Sequence, residues 1–282
     1  MNYRHAFHAG NFADVVKHAV LALIIAYLKQ KPTPFAVIDT HAGAGCYDLQ
    51  ASEAARTGEW RLGIARVLAL KSPPTALEPY LRVVRGLNEG EAGTLRWYPG
   101  SPRLAHALMR RGDRLFATEL HPVDHDALSA LFAGARGVKV VKLDGYQALA
   151  AFVPPRERRA LVLVDPPFEK TDEFERMAEG LLAAYRRFST GIYLLWYPIK
   201  ERAPIRRFYQ ALAESGIRRI LRAEMLVARE QDGERLSGCG LIIVNAPFTL
   251  PESLAELLPA LAAAMSQDSK NAHARVDWLV AE

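Results

Sequence analysis

An aspartate, two prolines and a phenylalanine follow directly on an apolar run in the segment LVLVDPPFEK, residues 161–170. The run Leu161–Val164 is typical of a buried parallel strand, so Asp165 is expected at the carboxyl end of that strand. Proline often marks the point where a strand gives way to a loop. That structural explanation accounts for a proline, but for neither the carboxylate nor the aromatic ring of Phe168.

These residue types suit the alkylation of an exocyclic amine on a nucleobase. Such an amine is a poor nucleophile because its lone pair is delocalised into the ring, so an enzyme must accept hydrogen bonds from its N–H groups and let a proton leave. Asp165 supplies one acceptor, and the rigid backbone directs the carbonyl of Pro166 as a second. Phe168 offers a face for a base drawn out of its stack, a contact worth about 1–3 kcal/mol. We therefore predict Asp165 as the catalytic residue, with Pro166 and Phe168 as substrate contacts.

Three other predicted strand ends carry small or polar residues. FAVIDT (35–40) opens into the loop HAGAG (41–45), RLFATEL (114–120) ends near Glu119, and VKVVKLDG (138–145) ends in Asp144-Gly145. A glycine-rich turn lets the backbone approach a ligand closely, Glu119 can accept hydrogen bonds from ribose hydroxyls, and Asp144 can meet an adenine ring. Since doubly wound sheets bind ligands at the carboxyl ends of their strands, the pattern predicts a nucleoside cofactor carrying a methyl group on a sulfonium.

Strands alternate with helices along most of the chain, which predicts an α/β fold with a mostly parallel, doubly wound sheet. Residues 48–93 contain only helical patterns and are interpreted as a small inserted helical subdomain. The core then comprises residues 1–47 and 94–282. Near the end of the chain, RILRAEMLVA and GLIIVNAP predict two antiparallel strands, and ARVDWLVA predicts an edge strand.

Composition narrows the class of protein. The net charge of +5 and the pI near 9.2 favour a polyanionic partner, although many proteins without nucleic-acid ligands are mildly basic. The two cysteines, Cys46 and Cys239, make a disulfide framework unexpected and suit the reducing cytoplasm. The apolar run Ala19–Leu28 is too short to span a bilayer. Arginine clusters late in the chain are typical of solvated faces.

The chain resembles the S-adenosylmethionine-dependent class I methyltransferases of the Asp/Asn-Pro-Pro-aromatic group. It is most similar to the J-type large-subunit RNA methyltransferases, a bacterial family that methylates N6 of an adenine in 23S ribosomal RNA. The resemblance runs from end to end, over YRHAFHAGNFADVVKH (3–18), DTHAGAG (39–45), RTGEW (56–60), YPGSP (98–102), TELHP (118–122), DG (144–145), DPPFE (165–169) and LWYP (195–198).

The resemblance implies a Rossmann-like core with an inserted helical subdomain and a set of functional residues. It implies a proton acceptor at Asp165 and an RNA contact at Tyr3. Cofactor contacts are implied at His18, His41, Ser101, Glu119, Asp144, Gly145 and Asp165. It also implies a monomer that acts on 23S RNA that is protein-free or early in assembly. The family often has tyrosine where this chain has Phe168, a change that keeps the stacking face and removes a hydroxyl.

The N-terminal arm combines aromatic and basic residues before the first helix. Such groups together suit a splayed base and its phosphates, so Tyr3, His5 and Lys17 are predicted to face RNA. A hydrogen-bonded, capped turn is the structural interpretation of His8 and Asn11. A zinc site is not predicted, since no cysteine pair or visible scaffold accompanies the histidines.

Two other functions fit the residues. A related enzyme methylates N2 of guanine in ribosomal RNA, because Asp-Pro-Pro-Phe serves that chemistry too. The other is a non-catalytic RNA-binding protein that uses a methyltransferase fold, against which the retained Asp165, Pro166 and Phe168 argue.

Overall fold

A twisted central sheet carries the functional residues in the computed structural model, which describes residues 4–91, 93–230 and 236–281. Its strands are β1 (Ala36–Asp39), β4 (Arg114–Thr118), β5 (Val138–Val141), β6 (Ala160–Val164), β7 (Ile192–Ile199), β8 (Ile220–Leu226), β9 (Gly238–Val244) and β10 (His273–Val280). Within these residues they are ordered β10-β8-β9-β7-β6-β1-β4-β5. A separate pair is formed by β2 (Cys46–Asp48) and β3 (Trp97–Pro99).

The strands that surround β1 are parallel and buried. Asp39 at the end of β1 is aligned with Ala117 of β4 and with Leu163 of β6. The chain proceeds outward from β1 to β4 and β5 on one side, and through β6 and β7 on the other. The reversal of strand order therefore falls beside β1, where doubly wound sheets open a crevice for ligands.

Two hydrophobic cores cover the two faces of the sheet. The larger contains α1 (Phe12–Leu28), α4 (Glu78–Leu87), α5 (Ser101–Leu108) and α10 (Leu250–Ala264), and the other contains α7 (Gly145–Phe152), α8 (Glu173–Arg187) and α9 (Arg202–Glu214). The connection between β4 and β5 contains α6 (Pro122–Leu131). No helix in the described part of the chain is long and apolar enough to cross a membrane.

Helices fill the segment between the paired strands β2 and β3. They are α2 (Ser52–Thr57), α3 (Ile64–Leu68) and α4, with short 3-10 turns between them. The segment is tied to the N-terminal arm, because Glu59 bonds His8 and Asn11 and the amide of Ile64 bonds the Gly10 carbonyl at 2.9 Å. The predicted boundaries at 48 and 93 stay a prediction. The β2–β3 pair that flanks the segment was not expected from the sequence.

The predicted order of helices and parallel strands is confirmed, and so are the antiparallel pair β8–β9 and the edge strand β10. The capped turn at the start of α1 is also confirmed. The side chain of Asn11 accepts a hydrogen bond from the amide of Asp14 at 2.9 Å, which caps the helix. Part of the connection between β8 and β9, residues 231–235, lies outside the described residues.

Candidate active site

One cavity of about 730 Å³ opens at the carboxyl ends of the central strands. It brings together the predicted site residues from distant parts of the sequence. Its lining includes His5, Lys17, His18, His41, Ser101, Glu119, Asp144, Gly145, Asp165, Pro166 and Phe168. The remaining predicted contact, Tyr3, lies outside the described residues.

A chain of ion pairs holds the carboxylate of Asp165. The Nζ of Lys17 lies 2.5 Å from Oδ2 of Asp165 and 2.9 Å from Oδ1 of Asp14. The other oxygen of Asp14 contacts Nε2 of His5 at 2.8 Å. The N-terminal arm is thereby linked to the end of β6, and Oδ1 of Asp165 is left to face a ligand.

Lys17 is 4% exposed, and its charge is already balanced by two carboxylates. Burial alone would lower the pKa of Lys17, but Asp14 and Asp165 together raise it well above its ordinary value of 10.5. The expected phosphate contact at Lys17 is therefore corrected, because a buried and paired ammonium is not available to a phosphate. Its position instead orients Asp165.

Asp14 is a site residue that the sequence analysis missed. It is 2% exposed, and burial opposes its ionisation, but His5 and Lys17 hold the pKa of Asp14 well below its ordinary value. A signal was present in the sequence. Asp14 and Lys17 stand three residues apart in the otherwise largely apolar α1, and a carboxylate and an ammonium at that spacing share one face of a helix.

The loop after β6 fixes Phe168 in an unusual conformation. Its φ is +51°, in the left-handed region that residues other than glycine rarely adopt. The ring packs edge-on against Phe174 at 4.8 Å and Trp196 at 5.9 Å between centroids. Backbone strain of this kind persists where the surroundings impose it, and it is common at binding sites.

Glu119 joins the glycine-rich loop to the end of β4. Its Oε2 accepts a hydrogen bond from the amide of Gly43, and its Oε1 accepts one from the amide of His121, both at 2.8 Å. Burial raises the pKa of Glu119, and these two hydrogen bonds oppose the rise. Each oxygen keeps a lone pair for a further donor.

His41 is a neutral acceptor at the edge of the cavity. Burial lowers its pKa to about 4. The hydroxyl of Thr40 donates to the Leu163 carbonyl at 2.9 Å, so Nδ1 of His41 is the donor in its 2.8 Å contact with that hydroxyl. Nε2 of His41 is left to accept. Gly145 makes room for the ring, because a Cβ at that position would lie 2.4 Å from two of the ring atoms of His41.

Asp144 caps α7. Its Oδ1 accepts hydrogen bonds from the amides of Tyr146 (2.9 Å) and Gln147 (3.2 Å), and its Oδ2 lies 3.4 Å from Arg176. The guanidinium of Arg176 also stacks 4.4 Å above the ring of Tyr146. Tyr146 and Arg176 line the same cavity, and neither was expected there from the sequence.

His18 is buried on α1 with one ring nitrogen satisfied. Nδ1 contacts the hydroxyl of Tyr98 at 2.8 Å, while Nε2 has no hydrogen-bond partner among the described residues. Burial lowers the pKa of His18 to about 3, so the ring is neutral. Among the same residues, no group of three or more histidine, cysteine or acidic side chains could hold a metal ion.

Asp39, at the end of β1, has a buried carboxylate whose two oxygens have no hydrogen-bond partner within the described residues. The hydroxyl of Ser101 and the amide of His41 face it without completing hydrogen bonds of normal geometry. Burial raises the pKa of Asp39 to about 7, with Asp165 adding to the rise and Ser101 opposing it. An acid without a partner, 1% exposed, is costly unless a ligand compensates it.

The cavity lies where the strand order reverses, which is where doubly wound folds bind nucleotide ligands. Together with the Asp-Pro-Pro-Phe turn at that point, the fold and the site define the class of protein: a Rossmann-like class I methyltransferase.

Comparison with known proteins identifies the family. The "Ribosomal RNA large subunit methyltransferase J" of Escherichia coli (strain K12) is 44% identical, and that of Haemophilus influenzae is 38% identical, each over 100% of both chains. The crystal structure of a protein from Legionella pneumophila matches with a TM-score of 0.88 at 34% identity, covering 96% of this chain and 98% of that one. A family model described as ribosomal RNA large subunit methyltransferase D, RlmJ, matches residues 32–280. The chain belongs to that family.

Proposed function

We propose that the protein transfers a methyl group from S-adenosylmethionine to the exocyclic N6 amine of an adenine in 23S ribosomal RNA. The observation that carries the proposal is the Asp165-Pro166 turn, which borders the same cavity as the glycine-rich loop and Glu119. An acceptor for a nucleobase amine and a binding site for a nucleoside cofactor thus share one space. The family membership supports the same activity.

Asp165 orients the amine. Lys17 occupies Oδ2 of Asp165, so Oδ1 and the backbone carbonyl of Pro166 accept the two N–H groups of the adenine amine. Hydrogen bonds to both N–H groups turn the nitrogen lone pair out of conjugation and toward the cofactor side of the cavity. Phe168, held by Phe174 and Trp196, offers its face to the adenine ring.

The amine loses one proton as its nitrogen gains a methyl group. The nitrogen that has formed the new N–CH3 bond carries a positive charge, and breaking one N–H bond returns an electron pair that conjugates with the ring again, so the proton is given up readily. Asp165 accepts that proton at Oδ1, and the ion pair with Lys17 keeps the carboxylate in place.

The residues of the cavity fit S-adenosylmethionine. That cofactor supplies an electrophilic methyl group on a sulfonium. Asp39, buried without a partner, matches a positively charged ligand group, and Glu119 has lone pairs free for ribose hydroxyls. His18 on α1 and Ser101 on α5 also line the cavity, as do His41, Asp144 and Gly145.

The RNA approaches over the N-terminal arm. His5 lines the cavity and is bonded to Asp14, and Tyr3 would stack on an unpaired base of the RNA. The basic pI of about 9.2 suits a polyanionic partner. We expect a monomer that acts in the cytoplasm, where both free cysteines stay reduced, on 23S RNA that is protein-free or early in assembly.

Methylation in vitro tests the proposal. Purified protein is incubated with S-adenosylmethionine and 23S RNA transcribed without modifications, and the nucleosides are analysed by mass spectrometry. N6-methyladenosine is expected with naked RNA and much less with assembled large subunits. Formation of N2-methylguanosine would instead support the guanine-specific alternative. Cofactor binding without any methylation of either RNA would support a non-catalytic protein.

Two variants at one position separate chemistry from folding. Asp165→Ala is expected to abolish methyl transfer, whereas Asp165→Asn retains a small activity because an amide oxygen still accepts one hydrogen bond. Asp126→Asn is the matched control, since that side chain is 83% exposed and is not part of the cavity lining. Full activity of Asp165→Ala would contradict the mechanism.

A further inference from the structure

Three buried polar groups form one relay behind the cavity. The hydroxyl of Tyr80, on helix α4, lies 3.0 Å from the hydroxyl of Tyr98 on β3, which lies 2.8 Å from Nδ1 of His18. Both tyrosines are 0% exposed and His18 is 1% exposed. The helical segment between β2 and β3 is thereby connected to the cofactor site.

The three side chains of the relay carry three polar protons but make only two hydrogen-bond contacts with one another. Neutral His18 has one N–H, and each tyrosine has one O–H. One of the three protons must therefore find its partner outside the relay. Among the described residues, the hydroxyl of Tyr80 has a hydrogen-bond contact only with Tyr98. At the other end of the relay, His18 lines the cavity, and its Nε2 has no partner among the same residues.

One arrangement pairs all three protons once a ligand is bound. Tyr80 donates to Tyr98, Tyr98 donates to Nδ1 of His18, and the histidine proton on Nε2 meets an acceptor on the ligand. The reverse direction would leave the Tyr80 proton buried without a partner, and an unsatisfied buried donor is costly. The ligand group opposite His18 must then be an acceptor.

The charges around His18 identify that group. The carboxylate of Asp14 and the ammonium of Lys17 lie near His18, and Lys17 pairs with Asp165, so His18 lies at the Asp165 end of the cavity. With the sulfonium at that end, where the methyl group would be transferred, the nearby cofactor atoms would be those of the methionine part, whose amino group and sulfonium are not acceptors. The carboxylate is the acceptor that remains.

Resting on the proposed function, we propose that Tyr98 is a positioning residue that fixes the proton of His18 on Nε2, where it donates to the carboxylate of the cofactor. Tyr80 completes the relay by donating to Tyr98. Removal of the Tyr98 hydroxyl leaves His18 free to carry its proton on either nitrogen, so the preference for a carboxylate is lost.

Binding of two ligands by calorimetry tests this role. The probes are S-adenosylmethionine and its decarboxylated analogue, which lacks only the carboxylate. For Tyr98→Phe we expect the affinity for S-adenosylmethionine to fall about tenfold or more, the size of a lost hydrogen bond to a charged group. The affinity for the decarboxylated analogue is expected to stay within about twofold of that of the unaltered protein, because this ligand has no carboxylate to accept the proton of His18.

A double variant distinguishes positioning from packing. Tyr98→Phe alone strands the Tyr80 hydroxyl and is expected to lower thermal stability, while Tyr80→Phe combined with Tyr98→Phe removes the stranded group and recovers stability. The affinity for S-adenosylmethionine is expected to stay low in the double variant. Tyr193→Phe is the control, because it also removes a buried tyrosine hydroxyl, bonded to the Phe188 carbonyl at 2.8 Å, and neither residue lines the cavity.

Nitrogen-15 spectra of the histidine rings report the tautomer directly, with His18 assigned through the variant His18→Asn. We expect the proton on Nε2 in the cofactor complex. A proton on Nδ1, or an equal loss of both ligands in the double variant, would overturn the proposal. If the unaltered protein binds neither ligand, the proposed function itself fails.

Discussion

Replacement of Asp39 by asparagine should make the ligand-free protein more stable, and increasingly so as the pH rises. Burial raises the pKa of Asp39 from its ordinary value of 3.8 to about 7. The folded protein therefore keeps a proton that the unfolded chain has lost between these two values. Stability from this group is present below pH 3.8 and is lost as the pH rises to about 7. Asparagine has the shape of the protonated acid and does not titrate.

The size of the effect follows from the two pKa values. A difference of one pKa unit corresponds to about 1.4 kcal/mol, so the full loss in the unaltered protein is about 4 kcal/mol. Between pH 5 and pH 8, the free energy of unfolding of Asp39→Asn should gain about 2–3 kcal/mol relative to that of the unaltered protein.

Urea unfolding at pH 5 and pH 8 measures this difference, with Asp126→Asn as the control that should show little change. Saturating S-adenosylmethionine should narrow the gap at pH 8, because its positive charge compensates ionised Asp39. A difference between variant and unaltered protein that does not vary with pH would refute the reasoning that Asp39 is an uncompensated buried acid.

Substitutions at three other site residues test separate parts of the site. Gly145→Ala places a Cβ 2.4 Å from the ring of His41 and should weaken cofactor binding by roughly tenfold. Gly86→Ala is its control, because a Cβ at Gly86 would have no atom within 4 Å, and this variant should bind the cofactor normally in the same titration. In Glu119→Gln, the single amide oxygen cannot accept hydrogen bonds from both backbone amides, so the free energy of unfolding should fall by about 1–3 kcal/mol. An unchanged denaturation midpoint would contradict the role of Glu119 in holding the glycine-rich loop. Phe168→Tyr should keep near-normal methylation, and Phe168→Ala should raise the KM for RNA by about 5–100-fold through lost stacking, so a normal KM for the alanine variant would exclude a stacking role.

The central sheet could be predicted from the sequence because its parallel strands are largely apolar runs of four to eight residues, each followed by a turn. The segment around Leu161–Val164 is the clearest case, since the whole of β6 is buried. The pair β2–β3 was missed because each strand has three residues, too few to show an alternating pattern. Its two halves are also separated by the inserted helices.

The predicted site residues that follow β1, β4, β5 and β6 line one cavity, because the carboxyl ends of parallel strands meet at one edge of a sheet. Their contacts could not be predicted in the same way. The pairing of Lys17 with Asp165 joins residues 148 positions apart, and only the packing of α1 against the sheet brings them together. The role of Asp39, the last residue of β1, could not be predicted either, since its importance comes from the hydrogen-bond partners that it lacks among the described residues.

The most direct test of the account is the nucleoside composition of 23S RNA from cells with and without the gene. Restoring the gene should restore one N6-methyladenosine in 23S RNA, and restoring it with Asp165→Ala should not, although the variant protein accumulates and binds S-adenosylmethionine. An unchanged N6-methyladenosine content in cells without the gene, or full restoration by the alanine variant, would contradict the account.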